Sequence, residues 1–397
     1  MDQEEGIGEA AMKESISRYE RLLAAWNLQE ADRVPVAPIN CYIIPYLEGL
    51  SIKEMFLEPE KLVRATVNCL DICGDEADPN ITTLDHLSLL GKSGWDQATL
   101  DWRIWDDFPP KGNIPSFYEK MILEDYDDVL ERGFGPILFN RKICPDVFRR
   151  SLDDFMYYEF EYPKIYAQAW RRFVEEHDVP LLMGGRACHP LDLLQYYRGI
   201  NQLTEDIFER PEKIKAISEV LVEYEAMRAM KQAMIMGAGE VPGAEIIFFV
   251  NGGPPGMSPR IFDEFFWPYA KKSIDIFVER GFRVRCHWDN DLTPHLGTMK
   301  HITDGLPKGK VLLDLEKTNM KRAKEVLGDR VCILGNVPSA LLVYGTPEEV
   351  EECCRKLIED CAPGGGFVLS TECETPWDAK RENVRAIIES AEKYGRY

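Results

Sequence analysis

The chain has 397 residues, with 47 Lys and Arg against 68 Asp and Glu, so its formal charge at neutral pH is −21. Its 45% hydrophobic and 29% charged residues are ordinary for a globular protein, and the length suits two or three domains or one large α/β barrel. The acidic balance argues against binding to nucleic acid or to an anionic membrane surface.

The sequence carries no recognisable targeting signal. Its N-terminus, MDQEEGIGEAAMKES, is acidic and polar where a secretory signal would be basic and then apolar. The apolar run at 244–250 has the length of a strand and stops at Asn251, so no membrane-spanning helix is predicted. The 11 scattered Cys residues include no CxxC pair and indicate reduced thiols. We therefore expect a cytoplasmic protein.

After a predicted N-terminal helical extension at residues 1–30, short apolar runs alternate with long amphipathic stretches. This alternation is typical of a parallel sheet that helices cover. The predicted strands cover residues 34–39, 76–83, 179–187, 244–253, 282–289, 310–316, 331–337 and 365–373.

Helical sequence follows most of these runs. The longest stretch extends from Leu191 to Met236. Ser258 with Pro259 predicts a helix N-cap and first residue, and Thr346 with Glu349 predicts a capping box.

The strand count predicts a single (β/α)8 barrel over residues 31–397. Residues 98–150 break the alternation with aromatic residues and prolines, so we interpret them as an insertion after the second strand. A doubly wound open sheet is the alternative, but no GxGxxG motif follows a strand.

The active site of such a barrel lies at the C-terminal ends of its strands. His287 and Cys373 are the strongest candidates there for a metal site, because imidazole and thiolate are good zinc ligands. Arg285, His287 and Asp289 alternate along one strand, so their side chains should point the same way. The pattern leaves open whether that direction is the barrel lumen, and a core Cys with a hydrogen-bonded His remains the alternative.

Four segments of the chain resemble the uroporphyrinogen decarboxylase superfamily. The resemblance extends from about residue 15 to about residue 395, except for the insertion, and implies the same (β/α)8 barrel. The segments are ADRVPV (31–36), the pattern GxxxxSPRxFxEFxxPYxKK at 253–272, LGDRVCILGNVPSALLVYGTPEEV (327–350) and the C-terminal GGGFVLSTECETPWDAKRENVRAIIESAEKYG (364–395).

The decarboxylases of this superfamily carry an arginine-rich stretch after the first strand. The corresponding segment here, INCYIIPYLEG, contains no arginine. A porphyrinogen with four acidic arms would be poorly held without such partners. Uroporphyrinogen decarboxylation and a non-catalytic tetrapyrrole-binding barrel are therefore the less favoured alternatives.

The Glu-Cys-Glu-Thr-Pro sequence at 372–376 resembles the corrinoid-dependent methyltransferase branch. In that branch the Cys is a zinc ligand, which implies this role for Cys373. Thiol-methylating members have a His-x-Cys pair on the sixth strand, and alignment on Asp289 puts Arg285 and His287 at those positions. The resemblance thus implies zinc at His287 and Cys373, with the third ligand open among Glu372, Asp289 and Glu316.

The absence of the second Cys favours O-demethylation over thiol methylation. We expect methyl transfer from a methoxylated, aromatic substrate to the cobalt of a separate corrinoid protein, because this chain has no DxHxxG cobalt-ligand pattern. Transfer from a methylated corrinoid to a thiol or a folate is the alternative.

This function assigns expected roles to the remaining site residues. Arg285 would stabilise the leaving oxygen, and Asp289 or Glu372 would complete or orient the site. Residues expected to line the substrate pocket are Tyr42, Asn251 and Asn336.

Overall fold

The computed structural model describes residues 16–40, 43–51, 54, 58–74, 121–134, 161–251 and 257–397. Tyr42, the predicted second strand at 76–83 and most of the predicted insertion at 98–150 lie outside these described residues. Among the helices that the structure describes, none is both long and apolar enough to cross a lipid bilayer.

A parallel six-stranded sheet forms the centre of the described structure. Each strand pairs with the next one in the sequence, so the order across the sheet is the order along the chain. The strands are β1 Gly185–Cys188, β2 Ile246–Asn251, β3 Arg283–Trp288, β4 Val311–Leu315, β5 Cys332–Val337 and β6 Phe367–Thr371. Five of the six strands fall within predicted runs, and β1 extends one residue past the run predicted at 179–187.

The first predicted strand, 34–39, lies beside β6. Val36 forms a parallel bridge with Leu369, and the N–H of Ala37 donates to the carbonyl of Leu369 at 2.9 Å. The first predicted strand therefore neighbours the last, as in a closed barrel.

Helices connect the strands and cover the outer face of the sheet. A π-helical turn at Phe262–Phe266 joins the helices Pro259–Ile261 and Trp267–Glu279, and a 3₁₀ turn at Thr293–His295 precedes the helix Leu296–Met299. The α-helices are α1 Arg18–Trp26, α2 Ile43–Leu47, α3 Pro59–Asn68, α4 Leu70–Cys73, α5 Asp125–Arg132, α6 Tyr162–His177, α7 Pro190–Arg198, α8 Ile200–Glu209, α9 Pro211–Met236, α10 Pro259–Ile261, α11 Trp267–Glu279, α12 Leu296–Met299, α13 Met320–Leu327, α14 Ser339–Tyr344, α15 Pro347–Cys361 and α16 Arg381–Tyr394.

The helical stretch predicted from Leu191 to Met236 is divided into α7, α8 and α9. Gly199 separates α7 from α8 with a φ of 90°, a conformation that glycine adopts without steric cost. Pro211 is the first residue of α9, where the N–H that proline lacks would have no partner within the helix. The predicted N-cap at Ser258 and the capping box of Thr346 with Glu349 are both confirmed.

The apolar interior has two parts on opposite faces of the sheet. The larger part lies between the strands and the helices. The smaller part fills the lumen and is closed at the N-terminal ends of the strands by Leu22, Ala25 and Trp26 of α1, within the predicted extension 1–30. We call it the lumen cluster, and its strand residues are Ile246, Leu312, Cys332, Leu334 and Val368.

Candidate metal centre at the barrel mouth

β3 sends alternate side chains to opposite faces of the sheet. Cys286 and Trp288 join the larger core, toward the helices. Arg285 is the register partner of Leu312 in the lumen cluster. Arg285 and His287 therefore point into the barrel, which resolves the direction that the sequence left open.

Asp314 on β4 connects these two side chains. It is the register partner of His287. Its Oδ2 accepts a hydrogen bond from Nη2 of Arg285 at 2.8 Å and lies 2.7 Å from Nδ1 of His287. Arg285 and Asp314 are completely buried, and the guanidinium also lies over the ring of Phe248, 4.8 Å from its centroid. The carboxylate thus neutralises a buried cation and holds the imidazole ring.

The other ring nitrogen of His287 faces Asp289 and Cys373. Nε2 lies 3.2 Å from Oδ1 of Asp289 and 3.8 Å from Sγ of Cys373. The three candidate ligand atoms all lie within 4.8 Å of one another. Cys373 follows β6 in the sequence, so the barrel brings together residues that are 86 positions apart.

The arrangement fits a zinc ion. With the Nδ1 proton directed at Asp314, the neutral ring presents its Nε2 lone pair to the metal position, as in carboxylate–histidine–zinc sites. Tetrahedral zinc with Zn–N of about 2.0 Å and Zn–S of about 2.3 Å separates its ligand atoms by roughly 3.3–3.6 Å. The two separations from Nε2 of His287, 3.2 and 3.8 Å, are close to these values, and a bound metal would draw the Asp289 carboxylate and Sγ of Cys373 together from within 4.8 Å. Three protein ligands would leave one position for a substrate.

Asp314 also dominates the electrostatics of the group. Burial lowers the pKa of His287, but the Asp314 carboxylate and the hydrogen bonds of the ring outweigh burial and hold that pKa well above its usual value. Burial acts to raise the pKa of Asp314, yet the charges of His287 and Arg285 keep it below its usual value. Burial raises the pKa of the Cys373 thiol, and His287 opposes this effect. A metal here must therefore compete with protons for its ligands.

Of the three acids that the sequence left open as a third ligand, only Asp289 belongs to this group. Oε2 of Glu316 accepts the backbone N–H of Asn290 at 2.6 Å. Oε1 of Glu372 accepts the N–H of Ser339 at 2.8 Å, at the start of α14. Glu372 therefore supports a helix N-terminus in this structure, where its charge is favourable.

Three residues were predicted to line the substrate pocket, and the structure describes the side chain of one of them, Asn336. Nδ2 of Asn336 donates to the carbonyls of Glu316 and Thr318, both at 2.9 Å, and so holds the loop after β4. The backbone of Asn251 ends β2 opposite Trp288. Tyr42 lies outside the described residues.

Two features of the site were missed by sequence reasoning. The sequence marks Asp314 as a polar strand end, but its contact with His287 depends on the register between β3 and β4. On α7, burial raises the pKa of Tyr196 well above its usual value, Asp192 adds to the increase, and Asp289 contributes a smaller part. The spacing of four residues between Asp192 and Tyr196 was the signal in the sequence that these two side chains share one face of α7.

The chain is similar to two kinds of protein with related sequences. Residues 141–394 match the family model described as uroporphyrinogen decarboxylase. The uroporphyrinogen decarboxylase of Thioalkalivibrio sulfidiphilus is 34% identical over 77 residues, which are 19% of this chain and 22% of that protein. The methylcobamide:CoM methyltransferase MtbA of Methanosarcina acetivorans is 24% identical over 234 residues, covering 55% of this chain and 60% of that protein. The chain thus spans less than two thirds of either relative.

A solved structure of a methyltransferase from Methanosarcina mazei is similar over nearly the whole chain. The TM-score is 0.66 at 19% sequence identity, with 96% of this chain and 99% of that chain covered. The family match and this shared fold, together with the strand order, confirm the predicted (β/α)8 barrel.

Proposed function

Because the chain belongs to the uroporphyrinogen decarboxylase family, which its match over residues 141–394 establishes, we propose that it is a corrinoid-dependent methyltransferase of that family. Its preferred reaction in this proposal is the demethylation of a methoxylated aromatic compound. The methyl group passes to the cobalt of a separate corrinoid protein. The observation that carries the proposal is the convergence of His287, Asp289 and Cys373 at the barrel mouth.

Demethylation is a substitution at the methyl carbon. Co(I) of the partner's corrinoid attacks this carbon, the carbon–oxygen bond breaks, and its electron pair remains on the oxygen. The cobalt becomes methyl-Co(III), and the phenolate takes a proton from water. The difficult part is the poor leaving group, so the enzyme has to stabilise negative charge on the ether oxygen.

The donor set suits this demand. Bound by His287, Asp289 and Cys373, zinc would supply Lewis acidity toward the ether oxygen. A set with one thiolate donates less electron density than a set with two, so it favours polarisation of an oxygen over activation of a thiol. Asp314 fixes the orientation of His287, and Arg285 balances the Asp314 charge from a completely buried position. Arg285 then acts on the leaving oxygen only through this network.

The relatives are compatible with two other activities. The similarity to a methylcobamide:CoM methyltransferase favours a thiol acceptor as the second candidate. The similarity to decarboxylases is shorter, and the segment after the first predicted strand has none of the arginines that a porphyrinogen with four carboxylate arms would need.

An anaerobic assay with free cob(I)alamin and zinc-reconstituted protein tests the proposal. Anisole and methoxyphenols serve as methyl donors, and the spectrum reports conversion of Co(I) to methyl-Co(III). We expect transfer with wild type and a loss of about 100-fold or more in Cys373→Ser, because a Lewis acid contributes several kcal/mol. Glu325→Gln, on the exposed face of α13, serves as the control and should react like wild type.

The reverse assay separates the second candidate. Methylcobalamin and 2-mercaptoethanol are supplied in place of cob(I)alamin and the ether. Transfer to the thiol without any ether demethylation would indicate that the substrate is a thiol acceptor and not an aromatic ether. Failure in both directions would contradict the methyltransferase proposal.

A further inference from the structure

Asp289 lies on a sharp turn that follows β3. The next residue, Asn290, has a φ of 77°, in the left-handed region that residues other than glycine rarely adopt. The turn brings Oδ1 of Asp289 to 3.2 Å from Nε2 of His287. The position of this carboxylate therefore depends on whatever holds the backbone at Asn290.

Glu316, at the end of β4, holds that backbone. Its Oε2 accepts the N–H of Asn290 at 2.6 Å, a charge-assisted hydrogen bond between adjacent strand ends. Two residues further along each segment, the N–H of Leu292 donates to Oγ1 of Thr318 at 3.0 Å. These two bonds attach the turn after β3 to the loop after β4.

The loop after β4 is itself held in place by β5. Nδ2 of Asn336 donates to the carbonyls of both Glu316 and Thr318 at 2.9 Å. These two hydrogen bonds hold the backbone that carries the Glu316 side chain. Its other oxygen, Oε1, lies 3.2 Å from the ammonium of Lys317, whose side chain is mostly exposed. Both oxygens of Glu316 thus have partners, and neither belongs to the group formed by His287, Asp289 and Cys373.

We propose that Glu316 is a positioning residue for Asp289, holding the Asn290 turn so that the Asp289 carboxylate meets His287 and Cys373. The inference rests on the metal centre of the proposed function and deepens it. It divides the acids at the barrel mouth into one ligand, Asp289, and one support, Glu316. The hydrogen bond to the Asn290 N–H carries this role, so an uncharged acceptor of the same length should preserve it.

The test compares Glu316→Gln with Glu316→Leu, because glutamine keeps an oxygen acceptor and leucine has none. Glu325→Leu is the matched control, since Glu325 is an exposed acid that pairs on the surface with Arg322. Each protein is titrated with zinc against a chelator of known affinity. Each is also loaded with Co²⁺, whose absorption spectrum reports the coordination geometry.

We expect Glu316→Leu to bind zinc about 10- to 100-fold more weakly than wild type, as is usual when an outer support of a ligand is lost. Its Co²⁺ spectrum should lose the intensity of a four-coordinate site. Glu316→Gln and Glu325→Leu should keep the affinity and spectrum of wild type. Thermal unfolding of the metal-free proteins shows whether Glu316→Leu remains folded.

Three results would overturn the inference. The first is wild-type affinity and spectrum in folded Glu316→Leu, and the second is a Glu316→Gln variant as impaired as Glu316→Leu. The third is a wild-type protein that binds no zinc. A wild-type protein that shows the expected metal pattern but transfers no methyl group would support the inference and contradict the proposed function, so the two failures are distinguishable.

Discussion

Asp314 uses a single oxygen for two partners, which makes it the most consequential side chain of the site. Its Oδ2 contacts both Arg285 and His287. Asp314 and Arg285 are completely buried, so solvent does not screen their charges. A buried guanidinium without its counter-charge is costly. The same carboxylate also determines which nitrogen of His287 is available as a ligand.

We therefore expect Asp314→Asn to lose both stability and metal affinity. The free energy of unfolding should fall by about 3–5 kcal/mol, because one partner of a buried ion pair is removed. Zinc affinity should fall by about 10- to 100-fold. Urea denaturation and zinc titration measure the two effects.

Asp304→Asn is the matched control, because Oδ2 of Asp304 lies 2.7 Å from Nδ1 of His301 in the same geometry but at an exposed position. Its stability should change much less than that of Asp314→Asn, because solvent screens an exposed pair. Equal effects at the two positions would contradict the role assigned to Asp314.

His189 gives the protein a pH dependence that is separate from the metal centre. Its Nδ1 accepts the N–H of Leu191, and Nε2 lies 3.0 Å from the carbonyl of Phe266. Burial lowers the pKa of His189 from 6.5 to about 3. Below pH 6.5 the unfolded chain therefore binds a proton that the folded chain does not bind. The folded state is fully stabilised above pH 6.5 and loses stability as the pH falls toward 3.

This effect amounts to about 2 kcal/mol between high pH and pH 5. His189→Asn keeps an acceptor for the N–H of Leu191 but cannot titrate. Urea denaturation at pH 7.5 and pH 5 should therefore show a smaller loss of stability in the variant, by about this amount. An identical loss in both proteins would show that His189 titrates normally in the folded state.

At the scale of elements, α9 lies directly against β1. Oε1 of Gln232 and Oε2 of Glu225 accept the backbone N–H groups of Arg186 and Cys188 at 2.9 and 2.8 Å. Gly185 permits this approach, because a Cβ atom there would collide with the carbonyl oxygen of Ala229. The helix thereby supplies hydrogen-bond acceptors to the edge of β1.

Gly185→Ala should therefore destabilise the fold by about 3 kcal/mol or more, because backbone blocks the added methyl group. Gly297→Ala is the control, since Gly297 lies in α12 and a Cβ there would meet no atom within 4 Å. That change should be neutral or stabilising by up to about 1 kcal/mol. Comparable unfolding free energies for the two variants would contradict the close packing of α9 on β1.

The periodicity of the chain predicted most of these elements but not their interruptions. Six predicted strands appear in the described sheet, because near-continuous apolar runs of strand length suit a sheet covered on both faces. The sequence predicted helical structure from Leu191 to Met236 without placing the breaks within it. The structure divides this stretch into α7, α8 and α9, with the breaks at Gly199 and before Pro211.

For the whole molecule, the barrel separates an apolar lower lumen from a polar mouth. The lumen cluster fills the lower part beneath α1, and Arg285, Asp314 and His287 lie above it on β3 and β4. The sheet thus holds candidate ligands from the ends of two strands, β3 and β6, and this fold commonly builds its sites from the ends of different strands. The mouth is the side from which a corrinoid protein would approach in the proposed reaction.

Side-chain alternation along a strand is readable in one sequence, and it predicted that Arg285 and His287 share a face. Register between strands is not readable, so the contacts of Asp314 could not be predicted. The third ligand stayed open for the same reason, because Asp289, Glu316 and Glu372 all follow strand ends. The structure distinguishes them by their contacts. The carboxylate of Asp289 lies beside His287, that of Glu316 accepts the N–H of Asn290, and that of Glu372 accepts an N–H at the start of α14.

X-ray absorption at the zinc K-edge of the reconstituted protein tests the metal centre most directly, and the proposed function depends on that centre. We predict one sulfur ligand at about 2.3 Å and the remaining ligands as nitrogen or oxygen at about 2.0–2.2 Å. The sulfur should disappear in Cys373→Ser. A site with two or more sulfur ligands, a site without sulfur in wild type, or no bound zinc would contradict the account.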